Sequence, residues 1–247
     1  MQLTLARRAS AEAVGTAFLV AVVVGSGIAA QRLSPGNVGL QLLENSIATG
    51  AALVALILAL GPISGAHFNP VVTLADRVLG GTTTQEASVY VIVQVIGACV
   101  GSVVANLMFD LPAATWSTHT RSSSGLWLAE FVATFGLLLI ILGVLRSGRA
   151  SAAAFAVGGY IAAAYWFTSS TIFANPAVTI GRTLTNTFAG IEPGSAPMFI
   201  LMQVLGALAA VGLAHFWNPQ LPAADLVVPH EDSPNGQVPV PADRSER

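Results

Sequence analysis

Six blocks of apolar residues, each about 20 residues long, constrain the fold of this chain more than any other feature of its sequence. They lie near residues 10–30, 41–62, 86–108, 126–146, 151–171 and 196–217. A helix of about 20 residues spans the roughly 30 Å hydrocarbon core of a bilayer. Since 54% of the residues are apolar and only 9% are charged, we predict an all-α membrane protein with six transmembrane helices.

The arginines at the ends of these blocks predict the orientation of the chain in its membrane. Four fall on one side: Arg7, Arg8, Arg146 and Arg149. Two fall on the other side: Arg32 and Arg121. Because cytoplasmic loops carry the excess of positive charge, both termini are predicted to be cytoplasmic. All ten basic residues are arginines, a habit of GC-rich bacterial genomes that favours a bacterial inner membrane.

The two ends of the chain call for separate interpretation. Arg7 and Arg8 before an apolar run are also typical of a cleaved signal peptide, but the run approaches spanning length and contains Glu12, so we expect it to be retained. The last 30 residues, from Asn218, carry six prolines and no apolar periodicity. We therefore predict one membrane domain over residues 1–217 and a disordered cytoplasmic tail over residues 218–247.

The remaining residues give no support to an enzyme, a cofactor or a metal site. The net charge of −2 provides no basic surface for nucleic acid. Cys99 is the single cysteine, so no internal disulfide can form. The spacing of His119, His215 and His230 does not match that of metal ligands, and no nucleophile stands beside a base. The lipid bilayer and small solutes are the partners that we expect.

Two shorter segments, residues 64–77 and 171–182, do not fit the count of six spans. Each contains an Asn-Pro pair, with the asparagine at a helix-capping position and the proline suited to a first helical turn. About ten residues of helical character follow in each segment. Since such a helix is too short to cross a bilayer, we predict two re-entrant half-helices.

The half-helices belong to an internal repeat, with copies over about residues 10–108 and 126–217. The matching features occur in the same order in both copies: Glu12 with Glu130, Asn69-Pro70 with Asn175-Pro176, and Gln94 with Gln203. Three spans per copy is an odd number, so the second copy must enter the membrane from the opposite side. The repeats are therefore predicted to be inverted.

Two half-helices that enter from opposite faces can meet at mid-membrane with their N-termini facing each other. Irregular backbone at that depth is tolerated when it is buried in protein or lines a water-filled cavity. Asn69 and Asn175 would present amide N–H groups to that cavity, while the two facing helix dipoles would repel cations and excess protons. The arrangement predicts a passage that favours neutral hydroxylated molecules.

These motifs resemble those of the aquaporins, the major intrinsic proteins, over roughly residues 10–217. The resemblance rests on the paired motifs Asn69-Pro70-Val71 and Asn175-Pro176-Ala177, on Ser-Gly-Ala-His-Phe at residues 64–68, and on the two Glu-x-x-x-Thr pairs. It implies an aquaporin-like channel for passive diffusion of small uncharged solutes, assembled as a homotetramer with one pore per subunit. It also implies that the three residues of each motif, Asn69, Pro70 and Val71 and Asn175, Pro176 and Ala177, form the pore centre.

The resemblance also bears on three ionisable residues near the re-entrant segments. Glu12 and Glu130 would accept hydrogen bonds from the re-entrant loops, a structural role that we favour over the proton relay that an intramembrane carboxyl otherwise suggests. His67 lies two residues before Asn69 and could either contact solute or support the first re-entrant loop.

The sequence departs from the family pattern at the position after the second Asn-Pro-Ala, where most members carry an arginine and this chain has Val178. Counting offsets from the two motifs places the other filter positions at Thr49, Ala163 and Ile172. With neither ring nor charge among the four, we predict a wide filter that admits glycerol-like polyols, urea or neutral metalloid hydroxides such as arsenite, plus water. Arg182 or Arg121 could restore positive charge, but we expect both to face solvent or lipid headgroups.

Two other functions fit parts of the pattern. Inverted repeats with broken helices also build secondary transporters, although no carboxylate cluster beyond Glu12 and Glu130 is predicted at the midplane. A water-selective aquaporin is the alternative within the resemblance. A non-conducting membrane scaffold is compatible with the fold but has no positive support in the sequence.

Overall fold

The computed structural model describes residues 3–217, so the predicted tail, residues 218–247, lies outside the described residues. The α-helices in chain order are α1 Leu5–Leu33, α2 Val38–Ser64, α3 Pro70–Leu79, α4 Thr84–Met108, α5 Ser124–Arg146, α6 Ala153–Phe167, α7 Pro176–Gly181 and α8 Ala196–Trp217. Six of them, all except α3 and α7, are long and apolar enough to cross a membrane when the short 3-10 turns before α6 and α8 are included. The prediction of six spans is confirmed.

Local signals explain where several helices begin and end. The Thr4 hydroxyl accepts a hydrogen bond from the Arg7 backbone N–H, so α1 starts earlier than the apolar block near residue 10. Thr83 and Glu86 form a reciprocal capping box at the start of α4. Gly65 ends α2 in the left-handed region, with φ at 85°.

The two halves of the molecule pack in the same way. The most extensive contacts within each half join its first and third spanning helices, α1 with α4 and α5 with α8. A Cβ at Gly97 would lie 2.3 Å from the Ala13 carbonyl oxygen, and a Cβ at Gly206 would lie 2.4 Å from the Phe131 carbonyl oxygen. Glycine at these equivalent positions lets both helix pairs approach at backbone distance.

The half-helices α3 and α7 lie inside the ring of spanning helices, and each packs against the last helix of the opposite half as well as its own. α7 is shorter than the ten residues that we predicted, because α-helical geometry stops at Gly181 and a 3-10 turn continues over Arg182–Leu184. The Ser102 hydroxyl donates to the Gly181 carbonyl oxygen at 2.7 Å, which occupies an acceptor that a continuing helix would use.

The outer surface of the helix ring carries large apolar side chains. Three examples from different spanning helices are Phe18, Ile92 and Phe155, whose exposed fractions are 60%, 58% and 60%. A soluble protein of this size would bury such residues, whereas lipid tails accept them without cost. The exposed apolar surface is therefore the one expected to contact lipid or neighbouring copies.

Candidate functional site

A cavity lined by residues of both halves lies between them. Most of its wall is aliphatic, with Leu53 and Ile57 from α2 and Leu137 and Ile141 from α5. Six residues bring polar or charged groups to the wall: Thr49, His67, Asn69, Tyr165, Asn175 and Arg182. The cavity is thus largely apolar, with few polar groups on which a solute can form hydrogen bonds.

Asn69 and Asn175 meet in this cavity and are tied to each other's loops. The Asn69 Nδ2 donates to the Ala174 carbonyl oxygen at 2.8 Å, and the Asn175 Nδ2 donates to the Phe68 carbonyl oxygen at 2.8 Å. Each Oδ1 accepts from the first turn of its own half-helix, from Val71 N at 3.1 Å and from Ala177 N at 3.0 Å. Since an amide nitrogen carries two hydrogens, each asparagine retains one donor for a solute.

The other residues of the two motifs are buried in the half-helices and are not part of the cavity wall. Pro70, Val71, Pro176 and Ala177 are buried in the first turns of α3 and α7, and the wall described above does not include them. In residues 3–217, only the asparagines of the predicted pore-centre set line the cavity. The prolines and their neighbours instead fix the direction of the half-helices.

The loops before the asparagines have a strained backbone. Ala66 and Phe68 in the first loop have φ values of 51° and 48°, and Ile172 and Ala174 in the second loop have φ values of 44° and 46°. L-residues rarely adopt this left-handed region, and each such residue costs about 1–3 kcal/mol. The loops therefore require strong hydrogen bonds from the surrounding protein to hold their conformation.

Two fully buried glutamates supply those bonds. Glu12 accepts from His67 N at 3.0 Å and from Phe68 N at 2.7 Å. Glu130 accepts from Phe173 N at 3.0 Å and Ala174 N at 2.9 Å. The cavity wall includes neither carboxylate, so the geometry resembles a brace for each loop more than a relay along the passage.

A glutamine from the last helix of each half completes the brace. Gln94 Nε2 donates to Glu12 at 2.7 Å and to the Thr73 hydroxyl at 3.0 Å. Gln203 Nε2 donates to Glu130 at 2.6 Å and to the Thr179 hydroxyl at 2.9 Å. The matching Glu and Gln residues that revealed the repeat in the sequence thus form one equivalent network in each half.

His67 lies on the cavity wall and also contacts residues that pack around the first re-entrant loop. Its Nδ1 is 3.1 Å from the Thr73 hydroxyl, and its ring packs edge-on against Tyr90 with centroids 5.6 Å apart. In the second half, Phe173 occupies the equivalent position and also lines the cavity. We call the two ends of the cavity the His67 end and the Phe173 end. At this position the His67 end has a polar side chain, whereas the Phe173 end has an apolar one.

The structure places three of the four predicted filter residues on the wall: Thr49, Ile172 and Val178. The prediction for Ala163 is wrong, because that residue is exposed on the outer face of α6. Tyr165 lines the cavity in its place, and its hydroxyl lies 3.1 Å from the Thr49 hydroxyl. An aromatic ring, which we did not expect among the filter positions, therefore lies beside Thr49 on the cavity wall.

The expectation that Arg182 and Arg121 face solvent or lipid headgroups is wrong as well. Arg182 is 2% exposed and lines the cavity, with its guanidinium carbon 3.4 Å from the centre of the Phe173 ring. Arg121 lies near the same ring, at 5.2 Å. Positive charge is therefore present at the Phe173 end, one helical turn beyond Val178.

Two loops that pair with each other hold Arg121 inward. Thr115 N donates to the Leu184 carbonyl oxygen at 3.0 Å, and Glu192 N donates to the His119 carbonyl oxygen at 2.9 Å. Burial and the charge of Arg121 lower the pKa of His119, so this histidine is neutral at pH 7 and adds no charge to the loop.

Comparison with known proteins agrees with this architecture. A family model described as Major intrinsic protein matches residues 1–172 and, in a second overlapping match, residues 122–238. The chain belongs to the major intrinsic protein family. The Aquaglyceroporin AqpS of Rhizobium meliloti is 52% identical over 209 residues, which cover 85% of this chain and 89% of the relative. The Probable aquaporin AqpM of Archaeoglobus fulgidus is 32% identical over 244 residues, which cover 87% and 98%.

A solved structure shows the same fold. The X-ray structure of the aquaglyceroporin from Plasmodium falciparum matches with a TM-score of 0.66 at 20% identity, over 88% of this chain and 99% of that one. As a major intrinsic protein, the chain is a multi-pass membrane channel for small neutral solutes and is not an enzyme. The cavity described above is the candidate for its permeation path.

Proposed function

We propose that this channel passes neutral solutes larger than water, namely glycerol-like polyols, urea and neutral metalloid hydroxides such as arsenite, together with water. The observation that carries the proposal is the aliphatic wall of Val178 and Ile172 at the Phe173 end of the cavity. A short branched side chain leaves more room there than the arginine typical of the family. The name of the 52% identical relative, an aquaglyceroporin, supports the same class of solute.

Selection against ions would occur at the two asparagines. Each offers one amide N–H to a passing oxygen, and its Oδ1 is already bound to the start of a half-helix. A solute oxygen can accept from these donors, whereas a cation meets donors and the positive ends of two short helices. The geometry therefore favours neutral molecules that carry oxygen.

A water-selective channel is the second candidate, and two observations favour it. The Tyr165 ring and the Arg182 guanidinium both line the cavity, and each narrows the space that Val178 leaves open. The two candidates differ in the ratio of solute to water permeability. A panel of glycerol, urea and arsenious acid fluxes in proteoliposomes, each divided by water flux, separates them, because a water-selective filter gives ratios no higher than those of bare lipid.

Replacing Val178 with arginine tests whether this position limits solute size. The new guanidinium would extend into the passage and would repel Arg182 four residues later on the same face. We expect the ratio of glycerol to water permeability to fall about tenfold, which corresponds to roughly 1.4 kcal/mol of added barrier. Stopped-flow light scattering on proteoliposomes measures both permeabilities.

Val78→Arg is the matched control for that variant. Val78 lies on the half-helix α3 but is 54% exposed and outside the cavity wall, so the same substitution should leave the permeability ratio unchanged. An unchanged ratio in a folded Val178→Arg protein would mean that Val178 does not line the narrow part of the path, and the proposed wide filter would lose its support.

We also propose that the protein is a homotetramer of the bacterial inner membrane with both termini in the cytoplasm. The orientation is supported by the arginines near the ends of α1 and α5. A reporter fused after Arg247, or inserted at residues 147–149, should give a cytoplasmic signal, while one inserted at residues 34–37 should not. A periplasmic signal from both of the first two positions would contradict the proposed orientation.

A further inference from the structure

Two arginines converge on one aromatic ring at the Phe173 end of the cavity. The guanidinium carbon of Arg182 lies 3.4 Å from the ring centre of Phe173, and that of Arg121 lies 5.2 Å from it. Like charges this close repel each other, and the π face of the ring offsets only part of that repulsion. The pair therefore forms a local concentration of positive charge beside the permeation path.

The side-chain hydrogen bonds of both arginines go to neutral backbone groups. Arg121 donates to the carbonyl oxygens of Gly190, Ser170 and Phe188. Arg182 donates from Nε to the Ala189 carbonyl oxygen. Within residues 3–217, this is the one hydrogen bond of the Arg182 side chain, so its two terminal amino groups have no protein acceptor in a residue that lines the cavity.

No carboxylate contacts either guanidinium in the described part of the chain, and the ion pair between Arg8 and Glu86 lies at another site. Glu130 is the acid whose charge acts on both arginines. Its two oxygens already accept from Phe173 N, Ala174 N and Gln203 Nε2. Two cations and one occupied carboxylate leave an excess of positive charge facing the cavity.

A buried guanidinium with free donors is costly unless something accepts its hydrogen bonds. Water and neutral solutes in the path can accept hydrogen bonds from these donors, but they do not offset the positive charge. A planar oxyanion can satisfy them in a stable bidentate pair, because its oxygens match the spacing of the guanidinium fork and its charge offsets that of the arginines. The hydroxyls of Thr49 and Tyr165 also line the cavity and lie 3.1 Å apart, so one hydroxyl hydrogen of the pair remains as a donor for a third oxygen.

We propose that Arg182, held by the Phe173 ring and the Ala189 carbonyl oxygen and close to the charge of Arg121, forms a binding site for a small planar monovalent oxyanion of the nitrate or carboxylate class inside the permeation path. The site rests on the proposed function, because it lies in the same cavity that neutral solutes cross. A bound anion occupies space that a solute needs, so it inhibits neutral flux. Such anions therefore regulate the channel by occupancy of its own path.

Nitrate is the probe that tests this site, since it is planar, permanently charged and small. Glycerol permeability is measured in proteoliposomes with sodium nitrate on both sides, and compared with sodium gluconate, whose six-carbon anion is larger than the solutes that the path is proposed to pass. We expect nitrate to lower the wild-type permeability at least twofold and in a saturable manner. Arg182→Met should abolish the difference between the two salts, and Arg121→Met should weaken it.

Arg146→Met is the matched control, because Arg146 ends α5 and lies outside the cavity wall; it should keep the nitrate effect. Equal wild-type permeability in the two salts would overturn the anion site but would not contradict the proposed channel function. Glycerol flux no higher than that of bare lipid in gluconate would instead contradict the proposed function.

A second readout covers the case in which Arg182→Met does not fold. Nitrate should raise the temperature of unfolding of the detergent-solubilised wild type relative to gluconate, because it binds only the folded site. Arg182→Lys keeps the charge but lacks the planar fork, so the nitrate shift should shrink in that variant. An equal shift in wild type and Arg182→Lys would contradict the bidentate site.

Discussion

Replacing Glu130 with leucine is expected to prevent stable folding of the channel. The carboxylate accepts from Phe173 N, Ala174 N and Gln203 Nε2, and all of these donors are buried. Leucine fills the space but accepts none of them, and each orphaned donor costs about 1–3 kcal/mol. The strained φ of 46° at Ala174 would also lose the bond that holds it.

The expected result is a loss of about 3 kcal/mol or more in the free energy of unfolding, seen as little monodisperse protein and a large drop in unfolding temperature. Glu130→Gln should have an intermediate effect. The side-chain oxygen of glutamine still accepts hydrogen bonds, but its NH2 group would face donors and cannot accept from them. Glu192→Leu is the control, because the Glu192 carboxylate accepts from the hydroxyl of Thr120, an exposed residue in a loop. Wild-type stability of Glu130→Leu would contradict the bracing role of the carboxylate.

Replacing Asn69 with aspartate is expected to make the channel leak cations. The Asn69 Nδ2 donates to the Ala174 carbonyl oxygen at 2.8 Å, and aspartate would place a negative oxygen in that position. The carboxylate would sit between the positive ends of α3 and α7, where it would attract the cations that the amide and the helix dipoles now repel. Currents carried by Na⁺ or K⁺ across planar bilayers measure the leak, and we expect at least a tenfold rise, which corresponds to a barrier lowered by about 1.4 kcal/mol.

Asn37→Asp is the control for this experiment. Asn37 also caps a helix, accepting from Leu40 N at 3.0 Å at the start of α2, but it is exposed and outside the cavity wall. The same chemical change there should not alter cation conductance. If folded Asn69→Asp and Asn175→Asp variants both conduct no more than the wild type, the two amides do not control ions at the centre of the path.

The sequence was sufficient for the features that depend on length and pairing. A span needs about 20 apolar residues, so the six blocks predicted the six long helices. The two Asn-Pro pairs predicted where the half-helices begin, because capping and the missing N–H of proline act within one turn. The repeat of Glu12 and Glu130 pointed to equivalent positions, and the structure places both against the re-entrant loops.

The filter was harder to predict, because it depends on how each helix is rotated about its own axis. Each residue turns an α-helix by about 100°, so the two-residue offset between Ala163 and Tyr165 moves the predicted side chain to roughly the opposite face. The fifth apolar block was predicted to extend to residue 171, but α6 ends at Phe167. Counting back from the second motif across that boundary therefore placed the filter position on the wrong residue. The aromatic hydroxyl of Tyr165 near the end of an apolar block was the one sequence signal for a wall residue.

The inward position of Arg182 could not be predicted from spacing alone. The sequence placed it on the same face as Val178, but buried arginines are rare, so solvent or headgroups were the expected surroundings. What holds it inward is the ring of Phe173 and the carbonyl oxygen of Ala189. The second of these comes from a loop whose path depends on pairing with residues 115–119, a long-range contact without a local signature.

The central claim, a channel for small neutral solutes, is tested most directly by the dependence of flux on concentration and temperature. In proteoliposomes containing the purified protein, glycerol influx should exceed that of bare lipid, rise linearly with the gradient without saturation, and depend only weakly on temperature. Those properties follow from diffusion through a preformed cavity. Influx that saturates with concentration would indicate a carrier that changes conformation for each solute, and influx equal to that of bare lipid would indicate a non-conducting scaffold; either result would contradict the channel.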